Sequence, residues 1–457
     1  MNYLPDCPCF AVTIGIVSNI WGYENVMWKP VRRMACPASG AAAAIGLLLV
    51  LSPLSAQAAS AAVVNVPCNA TTLATAISGA ASGETLSLTP HCQYQIKAAL
   101  PVVGQDLAIA GHWATLRRSH APGTPAFAIL SVDAGTLAVS DLNFSNGNGA
   151  ISATENGSIT VQGGTFSGNS AADGGAISSN TGAGNLTVTD ATFSGNSATY
   201  AGGAIYTNEA AGNTTVTGST FTRNKAGDIG GAIYNFFDME VSNSRFNVNQ
   251  ATSGGAIFNN ALGGDHLTGV TMYGNSATQD GGGIYTADCA LALVNSHISG
   301  NHAGNDGGGI YQNVLVAYPD GLTLTGTSVQ GNSAANGGGI YSDNSVVDLT
   351  SSTLEGNDAT ADGGAIYNDG YVLGYGDVNL GTSTISGNKS GGDGGGIYNT
   401  QGNVTATGSS VAHNTAVTGG GIYDGPGSDT VTLTSTSVLH NKPDNCSPPG
   451  SVTGCTG

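Results

Sequence analysis

The sequence predicts an all-β solenoid, a right-handed parallel β-helix of about 13 coils with an N-terminal cap. Three observations lead there. A Phe-x-x-Asn motif recurs with its Asn at Asn169, Asn196, Asn224, Asn249, Asn275, Asn301, Asn332, Asn357, Asn388, Asn414 and Asn441, spaced 25 to 31 residues apart. A Gly-Gly-Ala/Gly-Ile motif, usually followed by Tyr, comes after every copy but the last, with its Ile at Ile177, Ile205, Ile233, Ile257, Ile284, Ile310, Ile340, Ile366, Ile397 and Ile422. Between repeats, runs such as Leu186-Thr187-Val188-Thr189 alternate apolar and polar residues, which is the period of a strand. A unit of this length buries its apolar side only against its neighbours, so the repeats must stack.

Taken in order, residues 1–58 read as an export region. Lys29, Arg32 and Arg33 form its basic part, Ala41 to Leu51 its apolar part, and Ala56-Gln57-Ala58 the small-x-small cleavage pattern, with Met27 or Met34 the expected start. The apolar run falls short of the roughly 20 residues a membrane span needs. The mature chain is therefore expected outside the cell or at its surface, without a transmembrane anchor and as a monomer. Residues 59–135 read as the cap and irregular first coils. Thr71 to Ser78 is expected as a short helix placing Leu73 and Ile77 one turn apart. Residues 136–441 are the regular coils, and 442–457 form a C-terminal tail. Export permits disulfides, and Cys68 with Cys92 and Cys446 with Cys455 would staple the two ends, leaving Cys289 as a buried free thiol.

Within one repeat, Leu186 to Thr189, Thr192 to Ser194 and Ala204 to Tyr206 are expected as three short strands joined by three turns, giving a triangular coil. Parallel pairing of each strand with its copy one coil on, about 4.8 Å away, stacks like residues in columns. A column of Phe, Met, Ile, Val and Leu runs inward from Phe166 to Val438 beside the Ile column. The Asn column reads as an internal ladder, with Asn taking the left-handed turn conformation.

Two other columns are candidate sites. Tyr206, Tyr234, Tyr285, Tyr311, Tyr341, Tyr367, Tyr398 and Tyr423, together with Phe258, follow the Ile and should point outward. An exposed aromatic stripe offers flat faces to sugar rings or to a protein, and it also stabilises a sheet by cross-strand contact. Four residues before the Ile stand Asp280, Asp306, Asp362 and Asp393, with Asp173 and Asn336 in the same column. Stacked carboxylates repel unless a hard cation such as calcium bridges them; the other reading is an Asx-type turn in solvent. Apart from that calcium, no cofactor is expected. Longer connections at Val314 to Pro319 and Tyr371 to Tyr375 would project from one edge, where repeat folds usually bind.

Beyond Ala58 the chain carries eight Lys plus Arg against 27 Asp plus Glu, a net charge of −19. Such a chain repels phosphate and is no nucleic-acid partner. Cations for lyase chemistry are scarce. Arg223, Lys225 and Arg245, with Asp228, Asp238 and Glu240, form the one patch that could serve a polysaccharide-cleaving enzyme; the other reading is a surface ion cluster, and a non-catalytic β-helix is expected.

The alternation of Gly-Gly-Ala-Ile with Phe-x-x-Asn over roughly residues 140–441 resembles the repeats of the chlamydial polymorphic outer membrane proteins. That resemblance implies a right-handed β-helical passenger displayed at the cell surface and acting in adhesion on glycan or protein ligands. Members of that family end in an autotransporter barrel, whereas this sequence ends at Gly457, so free secretion or cell-wall association is expected over barrel anchoring. The upstream part also resembles the start of proteins in the pectin-lyase-like β-helix group, which includes polysaccharide-cleaving enzymes.

Overall fold

The computed structural model describes residues 62–209, 211–260, 264–287, 290–314, 321–370 and 376–455. The export region, Cys289 and most of the two long connections lie outside the described residues. What is described is a parallel β-solenoid of about 14 turns, assembled from sheets of 15, 14, 9 and 13 strands.

One coil shows how the sequence produces this. Leu186–Thr189 enters a Leu/Val sheet, Thr192–Ser194 a Phe sheet, Ser197–Ala198 a Ser-Ala sheet, and Ile205–Thr207 an Ile-Tyr sheet. Each strand pairs in parallel one coil on, with Val188 opposite Val216, Phe193 opposite Phe221, Ala198 opposite Ala226 and Ile205 opposite Ile233. The coil therefore has four strands where the alternation predicted three. The additional one was read as a turn because two residues carry no periodic signal. Ser197 N nevertheless donates to Asn169 O of the preceding coil at 2.9 Å, which makes it part of a ladder.

The interior is built of like stacked on like. The rings of Phe144, Phe166, Phe193, Phe221 and Phe246 lie 4.7–4.9 Å apart and nearly parallel, fully buried, and the column continues through Met272 and Ile298. Next to it the Asn side chains form a buried ladder. Asn196 Nδ2 donates to Asn224 Oδ1 at 3.0 Å and to Phe166 O at 2.9 Å, while Asn224 Oδ1 also accepts Asn196 N at 3.0 Å. The pattern repeats coil after coil until Asn441 Nδ2 meets Asn445 Oδ1 at 3.1 Å. The left-handed residue of this corner is not the Asn but its predecessor: Gly195 (φ 62), Gly300 (φ 61), Arg223 (φ 53) and Val248 (φ 57) among others. An amide that must accept from the Asn of the previous coil and donate both to that coil's carbonyl and to the Asn of the next has to point inward, which hands the turn to the residue before it.

Both ends are closed. At the start, helix α1 (Ala70–Gly79) is capped by Asn69, whose Oδ1 accepts Thr71 N at 2.8 Å, and it lays Leu73 and Ile77 over the first core layer. Cys68 is bonded to Cys92, Cα atoms 5.8 Å apart. At the other end the tail pairs Cys446 with Ile422 in the Ile-Tyr sheet, and the Cys446–Cys455 bond, Cα atoms 6.2 Å apart, folds Val452 onto the last layer.

Candidate functional site

The outward side of the Ile-Tyr sheet combines aromatic area with clustered carboxylates. Its rings form one file. Tyr206, Tyr234, Phe258, Tyr285, Tyr311, Tyr341, Tyr367, Tyr398 and Tyr423 stack in sequence with centroids 4.5–5.8 Å apart. The file starts at Tyr206 because the preceding coil has Ser178 at this position, opposite Tyr206. The expectation of exposed flat faces needs correction. Each ring face is covered by the next ring, since strands at the solenoid spacing bring like rings to stacking distance, and Tyr234 and Tyr311 are only 9% exposed. What the file offers a ligand is ring edges and hydroxyls.

Glycine builds one wall of this file. Gly363 takes φ +69, and a Cβ there would stand 2.8 Å from both Cα and Cβ of Tyr367. The Asp-Gly-Gly turn can thus lie back against the strand only without a side chain. This close approach brings the Asp of the turn alongside the rings. Asp280, Asp306, Asp362 and Asp393 do form a column, but their oxygens are engaged along it. Asp280 Oδ1 accepts Asp306 N at 3.3 Å, Asp306 Oδ1 accepts Asn336 Nδ2 at 2.9 Å, and Asp362 Oδ1 accepts Asp393 N at 2.7 Å. Among the described residues no three His, Cys, Asp or Glu side chains converge as a metal site.

The other wall comes from the residue two beyond each Tyr. Asn208 Nδ2 donates to the Tyr206 hydroxyl at 2.9 Å, and the Tyr341 hydroxyl donates to Asp369 Oδ2 at 3.3 Å. Asp343 and Asp369 are register partners on neighbouring strands, and Asn344 Nδ2 donates to Asp343 Oδ1 at 2.6 Å. Sequence reading missed this pair, although the column Asn313, Asp343, Asp369 is visible once the repeats are aligned on the Ile.

The electrostatics follow from burial between these walls. Burial pushes the Asp343 carboxyl up to about 6, helped by the charges of Asp369 and Asp306. Burial, then the Asp306 charge, raises Asp280; burial also raises Asp306. The Tyr234 hydroxyl is pushed up to about 12 by burial, and those of Tyr311, Tyr341 and Tyr367 are raised further by burial and their tyrosine and carboxylate neighbours. These four phenols therefore keep their protons at any physiological pH. Among the described residues the one ion pair is Lys389 with Asp358 at 3.9 Å, and both lie on the Ser-Ala sheet, away from the rings.

The basic patch read from the sequence is not one site. Arg223 sits at the corner before Asn224, Lys225 on the Ser-Ala sheet, and Arg245 on the outer side of the Phe sheet. Glu240 stands on the Leu/Val sheet opposite His266, and with Asp238 these two edge a shallow depression.

With this geometry in view, the Chlamydia polymorphic membrane protein repeat matches the chain five times, at residues 190–208, 218–235, 269–287, 351–369 and 382–400. Each match runs from the corner after a Leu/Val strand, through the Phe and Asn columns, to the Ile-Tyr strand. No curated protein matches the chain. A β-solenoid carrying these repeats fits a surface-exposed protein, and no helix of the described residues is long and apolar enough to cross a membrane.

Proposed function

We propose that this chain, a parallel β-solenoid carrying polymorphic membrane protein repeats, is an exported, adhesin-like surface protein that binds a glycan or protein ligand along its tyrosine file. The observation that carries this reading is the unbroken ring stack from Tyr206 to Tyr423, phenols at every position but Phe258, with carboxylates on both flanks. Phenol donors beside carboxylate acceptors suit the hydroxyls of a sugar or the donors of a peptide, while the surrounding carboxylates disfavour acidic polysaccharides. The test is capture of the mature chain on an array of neutral and acidic glycans, and on host-surface proteins, with Tyr311, Tyr341 and Tyr367 replaced together by Phe. This change keeps the rings and removes three hydroxyls. Capture should weaken at least tenfold; undiminished capture sinks the assignment of the site.

A second reading, a polysaccharide-active enzyme, has one observation in its favour. Asp343 and Asp369 are register partners at the strand spacing, one raised and one hydrogen-bonded to Tyr341, and a retaining glycosidase needs two carboxyls about 5–5.5 Å apart with one protonated. New reducing ends from a neutral polysaccharide, lost in Asp369→Asn, would establish it.

A further inference from the structure

Among the described residues, Asp265 is the one carboxylic acid set into the apolar lining of the solenoid. It lies on the Leu/Val sheet, in the strand Gly264–Thr268, at an inward position otherwise held by Leu186, Met239, Leu291, Leu322 and Val347. It is 1% exposed. Its Oδ1 accepts Met239 N at 3.0 Å, and its Oδ2 has no partner. Two coils earlier in the same column Thr214 is also buried, and its Oγ1 is likewise unpartnered. A carboxylate charge cannot be held in such a place without a counter-charge or a full set of donors.

The neighbours supply neither. On the preceding strand the facing residue is Met239, flanked by Asp238 and Glu240. On the following strand it is Leu291, flanked by Ala290 and Ala292. On its own strand His266 points to the outer side, opposite Glu240. Among the described residues the charged groups on these strands and beside them are thus Asp238, Glu240 and His266, and the Asp238 charge is of the same sign as the ion Asp265 would form.

We infer that Asp265 makes the strands Met239–Ser242, Gly264–Thr268 and Ala290–Val294 a pH-sensitive seam of the solenoid, closed while this carboxyl keeps its proton and loosened when it is lost. Burial raises the carboxyl well above its ordinary range, in the same sense. A group raised on folding binds its proton in the folded chain at pH values where the unfolded chain has already released it. The seam is therefore most stable below the ordinary carboxyl range and loses stability as pH rises towards the folded value. Across that window the opening equilibrium should grow about tenfold per pH unit, the slope for one proton.

The experiment is amide hydrogen exchange of the full mature chain and of Asp265→Asn, compared at matched pH from 5 to 9. Asn keeps the acceptor for Met239 N but cannot ionise. The wild type should lose protection in the three strands relative to Asp265→Asn by about tenfold per unit until the carboxyl is ionised, whereas the Asn169 to Asn224 coils should show no such difference. Parallel profiles would overturn the inference. Should Asp265→Asn fail to fold, Asp265→Leu restores the apolar column, and a thermal midpoint with unchanged pH dependence would be equally damaging. Glu240→Gln, on the outer side of the same strands, should leave the profile as in the wild type.

Discussion

The asparagine corner and the tyrosine file run the length of the same coils at the same spacing, yet they differ in what they leave over. In the corner each amide is consumed: Asn301 Oδ1 accepts both Asn275 N and Asn275 Nδ2 at 2.9 Å, and its Nδ2 donates to Met272 O at 3.3 Å and Asn332 Oδ1 at 3.0 Å. Nothing remains for a ligand. In the tyrosine file the rings satisfy one another through their faces, and the hydroxyls bond side chains of the flanking wall, as Tyr206 does with Asn208 and Tyr341 with Asp369, at the outer surface of the sheet and not in the core. Regularity alone does not mark a binding array. Translational symmetry makes a ladder of any repeated side chain, and function is to be sought where the ladder holds its polar atoms at the outer surface.

The largest break in this comparison should come from the corner. Asn301→Ala strands Asn275 N inside the solenoid and takes one bond each from Asn275 Nδ2, which keeps Phe246 O, and from Asn332 Oδ1, which keeps Asn301 N, at a cost of about 1–3 kcal/mol for the buried group left unpaired and about 2–5 kcal/mol in all. Urea unfolding followed by circular dichroism reads it, and a loss under about 1 kcal/mol would show that the ladder is not a stability element. Tyr341→Ser comes second. It removes ring contacts to Tyr311 at 5.2 Å and Tyr367 at 4.8 Å, worth about 2 kcal/mol together, while Tyr341→Phe should cost under about 0.5 kcal/mol because stacking survives. If both variants cost the same, the hydroxyl bond to Asp369 and not the stack holds the file.

A gain is expected at the corner itself. Val248 carries the left-handed turn at φ 57, a conformation costing a β-branched residue about 1–2 kcal/mol, and glycine fills the same position in most other coils. Val248→Gly should therefore stabilise the chain by about 0.5–1 kcal/mol, after the greater freedom of glycine in the unfolded chain is offset. The smallest effect belongs to Arg245→Ala. Its side chain stands exposed on the outer Phe sheet, so unfolding should shift by no more than about 0.5 kcal/mol, and glycan capture should be unchanged. A loss of capture here would move the binding surface to another sheet.

How much of this was legible beforehand differs from one element to the next. The Phe, Ile and Asn columns could be read directly, since 25- to 31-residue spacing of identical residues has few physical causes. Helix α1 was legible from Leu73 and Ile77 alone. The Ser-Ala strand was not, because two residues such as Ser197 and Ala198 have no period, and only pairing with the next coil makes them a strand. Tyr as an outward column was legible from its place after Ile. That its faces are closed by stacking and its edges walled by Asp-Gly-Gly turns was not, as both depend on the distance between coils.

By itself, then, the sequence determined the solenoid, its repeat and the direction in which each column points, because strand alternation and turn chemistry are local. Tertiary structure alone decided that an amide column becomes a closed hydrogen-bond ladder, that Asp343 meets Asp369 beside Tyr341, and that Asp265 is enclosed in an apolar lining. These contacts join residues one full coil apart, and their energies depend on the stacking distance and burial that only the assembled coils create.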